Sequence, residues 1–321
     1  MSKIVDFFPY FDTTGKELLE LRIKMLYDYV DEFVIAESNK THSGIPTQRG
    51  LRETLKERGI PTDKIIIVDL DIPDDKDLVI EHIDIYNANY DQSNMNTVRA
   101  KTRERMQKDA ITKALYRYSD DTVIFNSDSD EIIDPRYLGW FSDFARKFPN
   151  DIIDVPMHHF QVRADLQVYE HGVQHRWIAP FLCTKELLLR HTPCALRSRY
   201  AGVNRLSITV DGTPVDWCGW HFSWMGPLEN RIIKLKSFSH YQDKIGGIIA
   251  NGDYGSEEMK KFAMETKFDE GSICPTGVLG SELKKYPLQN LPKEIFELPR
   301  VFEYLLPNYS LEQALAIRGG I

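Results

Sequence analysis

Short apolar runs alternate with amphipathic stretches over the first 150 residues of the chain. The run at 4–8 predicts a buried strand closed by Pro9. Over 17–29, Leu18, Leu21, Met25 and Leu26 recur at helical spacing, so an amphipathic helix follows. A second strand is predicted at 33–36, with Gly44 and Pro46 breaking the loop after it. A helix over 47–58 ends at Gly59 and Pro61, and a third strand spans 65–68. The acidic stretch 69–77 reads as a solvated loop, and 81–96 shows no clear period. A long helix over 98–118 carries Met106, Ile111, Ala114 and Leu115; a strand at 123–125 and a helix over 135–148 come next.

This alternation argues for a mostly parallel sheet with helices on both faces. The second half changes character, with strand candidates at 152–156, 159–162, 177–183, 187–190 and 207–210 and a terminal helix over 293–306. No linker rich in Gly, Ser or Pro, no repeat and no low-complexity tract interrupts the chain. One α/β domain with a mixed sheet is the economical expectation.

Candidate chemistry begins where the strand at 123–125 ends. Asp128, Asp130 and Glu131 follow it within a few residues. Carboxylates this close repel unless a cation or solvent screens them. Oxygen ligands at a strand end suit Mg²⁺ or Mn²⁺, although an acidic turn can equally be plain solvated surface. In open α/β sheets ligands bind beyond the carboxyl ends of the strands, where this turn lies. A second concentration is Trp220, His221 and Trp224. Indoles pack on the apolar faces of sugars, and an imidazole can ligate a metal or carry a proton; the same residues also suit a core.

Composition narrows the classes. With 42% hydrophobic and 27% charged residues the chain is an ordinary globular protein, and its net charge of −8 gives no support to a nucleic-acid partner. Any cationic site for phosphates must be local. Cys183, Cys194, Cys218 and Cys274 lack metal-ligand spacing and read as reduced thiols. No signal peptide or run of membrane-spanning length is visible.

Several ordered segments resemble glycosyltransferase family seventeen, whose best-known members add a bisecting N-acetylglucosamine to N-glycans. They are Phe8-Pro-Tyr-Phe11, Glu17-Leu-Leu-Glu-Leu-Arg22, and the second strand ending at Glu37. The helix containing Arg103, the segment Ser127-Asp-Ser-Asp-Glu-Ile132, and Gly219-Trp-His-Phe-Ser-Trp224 with Glu229, Lys234 and Ser237 continue the match, as do Leu291 to Leu306. The segments 69–91 and 158–213 match poorly.

The resemblance implies a GT-A fold, a Rossmann-type mixed sheet flanked by helices. Residues 1–150 would form the nucleotide-sugar half and 151–321 the acceptor side. It implies inverting, metal-dependent transfer from UDP-N-acetylglucosamine to a glycan or glycolipid. Asp128, Asp130 and His221 are then the expected ligands of Mn²⁺ or Mg²⁺. Phe8, Pro9, Glu37, Arg103, Asp128 and Lys234 are expected at the donor, and Trp220 and Trp224 at the sugar wall. Glu229 is the expected general base, with Glu131 and Asp216 in reserve and His221 as a second proton-handling group. The lack of an anchor gives the expectation of a cytoplasmic enzyme, bacterial or from a virus-infected cell. Two rivals remain. A haloacid-dehalogenase-type phosphohydrolase wants Thr or Val soon after the second aspartate, where this chain has Glu131-Ile132. A carbohydrate- or Ca²⁺-binding module wants a turn glycine where Glu131 stands.

Overall fold

A computed structural model of the chain describes residues 3–80, 94–198, 202–210, 213–238, 269–272 and 281–319. The first strands are β1 (Ile4–Tyr10), β2 (Glu32–Ser38), β3 (Ile65–Leu70) and β4 (Val123–Asn126). β1 lies between β2 and β4, and β2 pairs β3, all in parallel register. The remaining short strands are β5 (Glu131–Ile133), β6 (Ile152–Asp154), β7 (Met157–Gln161), β8 (Leu166–Glu170), β9 (Val173–Gln174) and β10 (Arg176–Trp177). They continue with β11 (Phe181–Thr184), β12 (Arg205–Leu206), β13 (Thr209–Val210), β14 (Thr213–Pro214), β15 (Gly219–Ser223) and β16 (Ser281–Lys285).

The main sheet has the order β12-β6-β11-β4-β1-β2-β3, and a second sheet runs β16-β8-β7-β15-β5. β11 is antiparallel to both β4 and β6, so the first sheet is mixed. Side chains alternate between two cores, as the two-residue period of a strand requires. Phe8, Phe33, Ile35 and Phe125 join Leu18, Leu19, Leu51 and Leu138 on one face. Val5, Phe7, Val34 and Ile124 join Ile111, Leu115, Leu187 and Leu196 on the other. The fold is α/β, a Rossmann-type sheet flanked by helices, with a second sheet beside it.

Pro9 does not close β1. It pairs with Ala36 of β2, while the β4 register has already ended at Asn126 beside Phe7. A proline lacks an N–H, so a position with a neighbour on one side only tolerates it. The helix over 98–118 is in fact α3 (Met95–Lys108) followed by 3₁₀ turns at Asp109–Lys113 and Leu115–Arg117. At the changeover the Asp109 carboxylate accepts the Cys194 N–H (2.8 Å), tying the helix end to a distant segment. The strand predicted at 187–190 is a helix, Lys185–Arg190, capped by Thr184, whose hydroxyl accepts the Leu187 N–H. The terminal helix is split into Glu294–Glu297 and Pro299–Leu305, with Pro299 opening the second piece, and Leu311–Gly319 is a further helix. The acidic stretch after β3 is more than solvated loop: Asp69, Asp71, Asp74 and Asp75 pair with Arg52, Arg49, Lys40 and Arg103. Cys183, Cys194 and Cys218 are free thiols, and Cys274 lies outside the described residues. Among the described residues no helix is long and apolar enough to cross a membrane.

Candidate active site

Successive strands run from β1 outward to β2 and β3 on one side and to β4 on the other, so the chain order reverses between β1 and β4. Ligands of open α/β sheets lodge in the crevice at such a reversal. A cleft of about 540 Å³ opens here, lined by Pro9 near the end of β1, by Phe11 just after it, and by Asp128, Ser129 and Asp130 beyond β4. Its walls come from α3 (Lys101, Glu104, Arg105, Lys108), from β15 and the residues after it (His221 to Met225), and from the helix Leu228–Ser237 (Asn230, Arg231, Lys234).

The acidic turn joins the two sheets, since β4 belongs to the first and β5 to the second. A buried arginine holds it. Arg22, on the helix Asp12–Leu26, is fully buried and forks onto Asp6 of β1 through Nε (2.7 Å) and Nη2 (2.5 Å). Its Nη2 also donates to Ser127 Oγ (2.6 Å), and its Nη1 donates to the carbonyls of Asp128 and Glu131 (2.9 Å each). Glu131 is buried too, and its carboxylate is saturated. It accepts from the Asp128 N–H (2.6 Å), from Arg197 Nη1 (3.0 Å) and Nη2 (2.6 Å), and from the Trp177 indole (2.6 Å). Arg197 Nη2 donates to Asp128 Oδ2 as well (2.7 Å), and Lys108 Nζ stands 3.8 Å from Asp128 Oδ1.

Asp130 faces the opposite wall. Lys234 donates to its Oδ2 (2.9 Å), and His221 Nε2 lies 3.7 Å from its Oδ1. Burial pushes the Asp130 pKa up, but Lys234 and His221 outweigh it and the net shift is down. Burial lowers the His221 pKa against the opposing pull of Asp130 and Glu131. The ring stacks on His159 (centroids 4.7 Å apart) and lies tilted against Trp177 (4.3 Å), and its buried Nδ1 meets no hydrogen-bond partner.

The geometry brings together Pro9, Asp128, Asp130, His221, Trp224 and Lys234. The other residues expected from the sequence lie elsewhere. Phe8 is fully buried under the Arg22 guanidinium (4.1 Å). Glu37 accepts the Leu51 N–H (2.8 Å) at the start of the helix Leu51–Glu57. Arg103 is buried off the cleft, donating to the His42 carbonyl (3.0 Å) and to Asp75. Trp220 is a core residue: along β15 its ring points into the apolar cluster, away from the cleft that His221 faces. Glu229 is exposed in the first turn of its helix, where a carboxylate suits the helix dipole, and it does not line the cleft. Asp216 pairs with Arg176 (3.2 Å), also off the cleft. Arg22, Arg197 and Trp177 also belong to the site; Arg22 lies in the segment Glu17-Leu-Leu-Glu-Leu-Arg22, whereas nothing in the local sequence marks Arg197 or Trp177.

A family model described as glycosyltransferase family 17 matches residues 10–257, most of the chain. The chain belongs to this family. It is therefore a glycosyltransferase, and the match starts beside the cleft floor at Tyr10 and runs past Lys234. No curated protein matches it. Among solved structures it is similar to a 4-diphosphocytidyl-2C-methyl-D-erythritol synthase at 16% identity, covering 74% of this chain and 98% of that one with a TM-score of 0.39. A mycobacterial protein is similar at 13% identity over 58% of this chain and 54% of that one, with a TM-score of 0.28. Likeness this distant says nothing about substrates, and family membership rests on the sequence match.

Proposed function

We propose that the chain is an inverting, metal-dependent glycosyltransferase that moves N-acetylglucosamine from UDP-N-acetylglucosamine to a hydroxyl of a glycan or glycolipid. The observation that carries this reading is the pair of carboxylates at the β1–β4 reversal, with an imidazole 3.7 Å from one and a lysine on the same carboxylate. Among the described residues no cluster of three or more His, Cys, Asp or Glu side chains encloses a metal by itself. Mg²⁺-type sites in nucleotide enzymes do not need one, because they use one or two carboxylates and complete the shell with substrate phosphates and water. Asp128 and Asp130 supply such a carboxylate pair, and His221, 3.7 Å from Asp130, is the further donor proposed beside it. A divalent cation held there would neutralise the charge that builds on the departing diphosphate.

The chain's own residues do the rest. Arg22 and Glu131 fix the turn that carries both aspartates, so their carboxylates start in place. Lys234, already on Asp130, offers a cation to the same diphosphate. Pro9 and Phe11, at the carboxyl end of β1, form the floor for the nucleotide. Attack by a hydroxyl needs a group to take its proton. Among the described residues Glu229 is outside the cleft and Glu131 is saturated, so the candidates are the carboxylates and imidazoles that line it: His42, Glu104, Asp128, Asp130, His159 and His221. Incubation with a panel of UDP-sugars, with Mn²⁺ and with a chelator, tests the reading. Metal-dependent release of UDP fastest from UDP-N-acetylglucosamine is expected; release that ignores the metal, or a preference for another donor, refutes that part of it.

A further inference from the structure

We propose that Trp177 is the wall against which the donor's sugar ring packs, and that Glu131 is the positioning residue that fixes its plane. The inference rests on the donor reading above. Trp177 closes β10, which is antiparallel to β7 with Trp177 opposite Met157, and its half-buried indole lines the cleft. The ring lies 4.3 Å from His221 and 5.2 Å from His159, centroid to centroid. His221 in turn reaches to 3.7 Å from Asp130, so the indole borders the spot where a sugar joined to the bound diphosphate begins.

The position is locked. The indole N–H donates to Glu131 Oε1 at 2.6 Å, and Glu131 has no exposed surface, with its other contacts committed to Arg197 and the Asp128 N–H. One buried carboxylate therefore sets the angle of the indole and, through Arg197, the placement of Asp128. A pyranose offers an apolar C–H face that packs on an aromatic ring, and a ring already immobilised loses little entropy on binding. Trp220 cannot serve, because it is buried in the core, and Trp224 lies against Lys234 (5.4 Å) and Phe238 on the other wall. The ligand class is thus a pyranosyl group carried by a nucleoside diphosphate.

The test compares UDP with UDP-N-acetylglucosamine, each titrated with Mn²⁺ into the wild-type protein and the Trp177→Ala, Trp177→Phe and Glu131→Gln variants. For Trp177→Ala, UDP affinity stays within about twofold while UDP-N-acetylglucosamine affinity falls about 2- to 12-fold, the range of one aromatic packing contact. Trp177→Phe keeps a ring without the N–H and shows a smaller loss of the same kind, and it carries the test if the alanine variant fails to fold. Glu131→Gln shifts the ratio of the two affinities in the same direction. Equal losses for both ligands, or none for either, overturn the proposal. So does unchanged donor affinity with a raised acceptor KM, which would give the wall to the acceptor. If the wild-type protein shows no metal-dependent UDP binding at all, the donor reading fails first, independently of Trp177.

Discussion

Replacing Arg22 with methionine is the sharpest test of how the site is held. The variant removes five donated hydrogen bonds and leaves the fully buried Asp6 carboxylate without its partner. Breaking one side of a buried ion pair costs about 3–5 kcal/mol, because the remaining charge is neither hydrated nor compensated. That is a large share of the roughly 5–15 kcal/mol that stabilises a typical domain. Urea denaturation is expected to show a loss of about this size. The pH dependence carries a second signature. Burial already raises the Asp6 pKa against the pull of Arg22, and without Arg22 it rises further. Folded Asp6 then takes up a proton that the unfolded chain, at its ordinary carboxylate pKa, does not hold. Lowering the pH from 7 toward 4 therefore shrinks the deficit of Arg22→Met relative to wild type. Pairing the change with Asp6→Asn should restore part of the stability, since no bare charge is left buried. The same single variant should lose Mn²⁺-dependent UDP affinity even in conditions where it is fully folded, because the carbonyls of Asp128 and Glu131 lose their anchor. A loss under about 1 kcal/mol, with UDP binding intact, would refute the reasoning.

Asp130→Ala should keep its fold, since the side chain faces the cleft, and lose metal-dependent UDP binding by isothermal titration; unchanged affinity removes Asp130 from the metal site. Glu229→Gln should transfer sugar at close to the wild-type single-turnover rate, because Glu229 is exposed outside the cleft; a fall of about 10²–10⁴-fold would return it to the role of base. Burial lowers the His158 pKa to about 4 from the ordinary 6.5. Its folded pKa is depressed, so its contribution is complete above about 6.5 and fades as pH falls toward 4, where the unfolded chain takes the proton first. Denaturation midpoints at pH 7 and 4.5 should converge in His158→Gln relative to wild type, and a parallel drop in both would contradict this.

Strands β1 to β4 were readable because each is a short apolar run, and the strand-to-turn step at Asp128 was readable because the carboxylates follow the run directly. What escaped was long-range. Arg22 reaches Asp128 across 106 positions, Arg197 across 69, and Trp177 reaches Glu131 across 46. No local period encodes such contacts. Residues 187–190 show the local version of the problem: a short apolar segment fits strand or helix, and the Thr184 cap decides for helix. Trp220 and His221 are adjacent, yet His221 lines the cleft while Trp220 packs into the apolar cluster. A motif of consecutive striking residues thus splits into a core half and a site half. Glu229 follows the motif in sequence, but its helix turns it to solvent.

Gly219 opens β15 where a Cβ would sit 2.4 Å from the Ile132 carbonyl, so only a glycine there lets β15 pair this closely with β5. That contact draws β5 into the second sheet while β4, separated from it by the four residues 127–130, stays in the first. The acidic turn is consequently a seam, with each of its ends sewn into a different hydrogen-bonded fabric. A ligand that grips Asp128 and Asp130 together grips both fabrics at once. Its binding should slow amide exchange along β4 and β15 alike, although the two strands share no hydrogen bond.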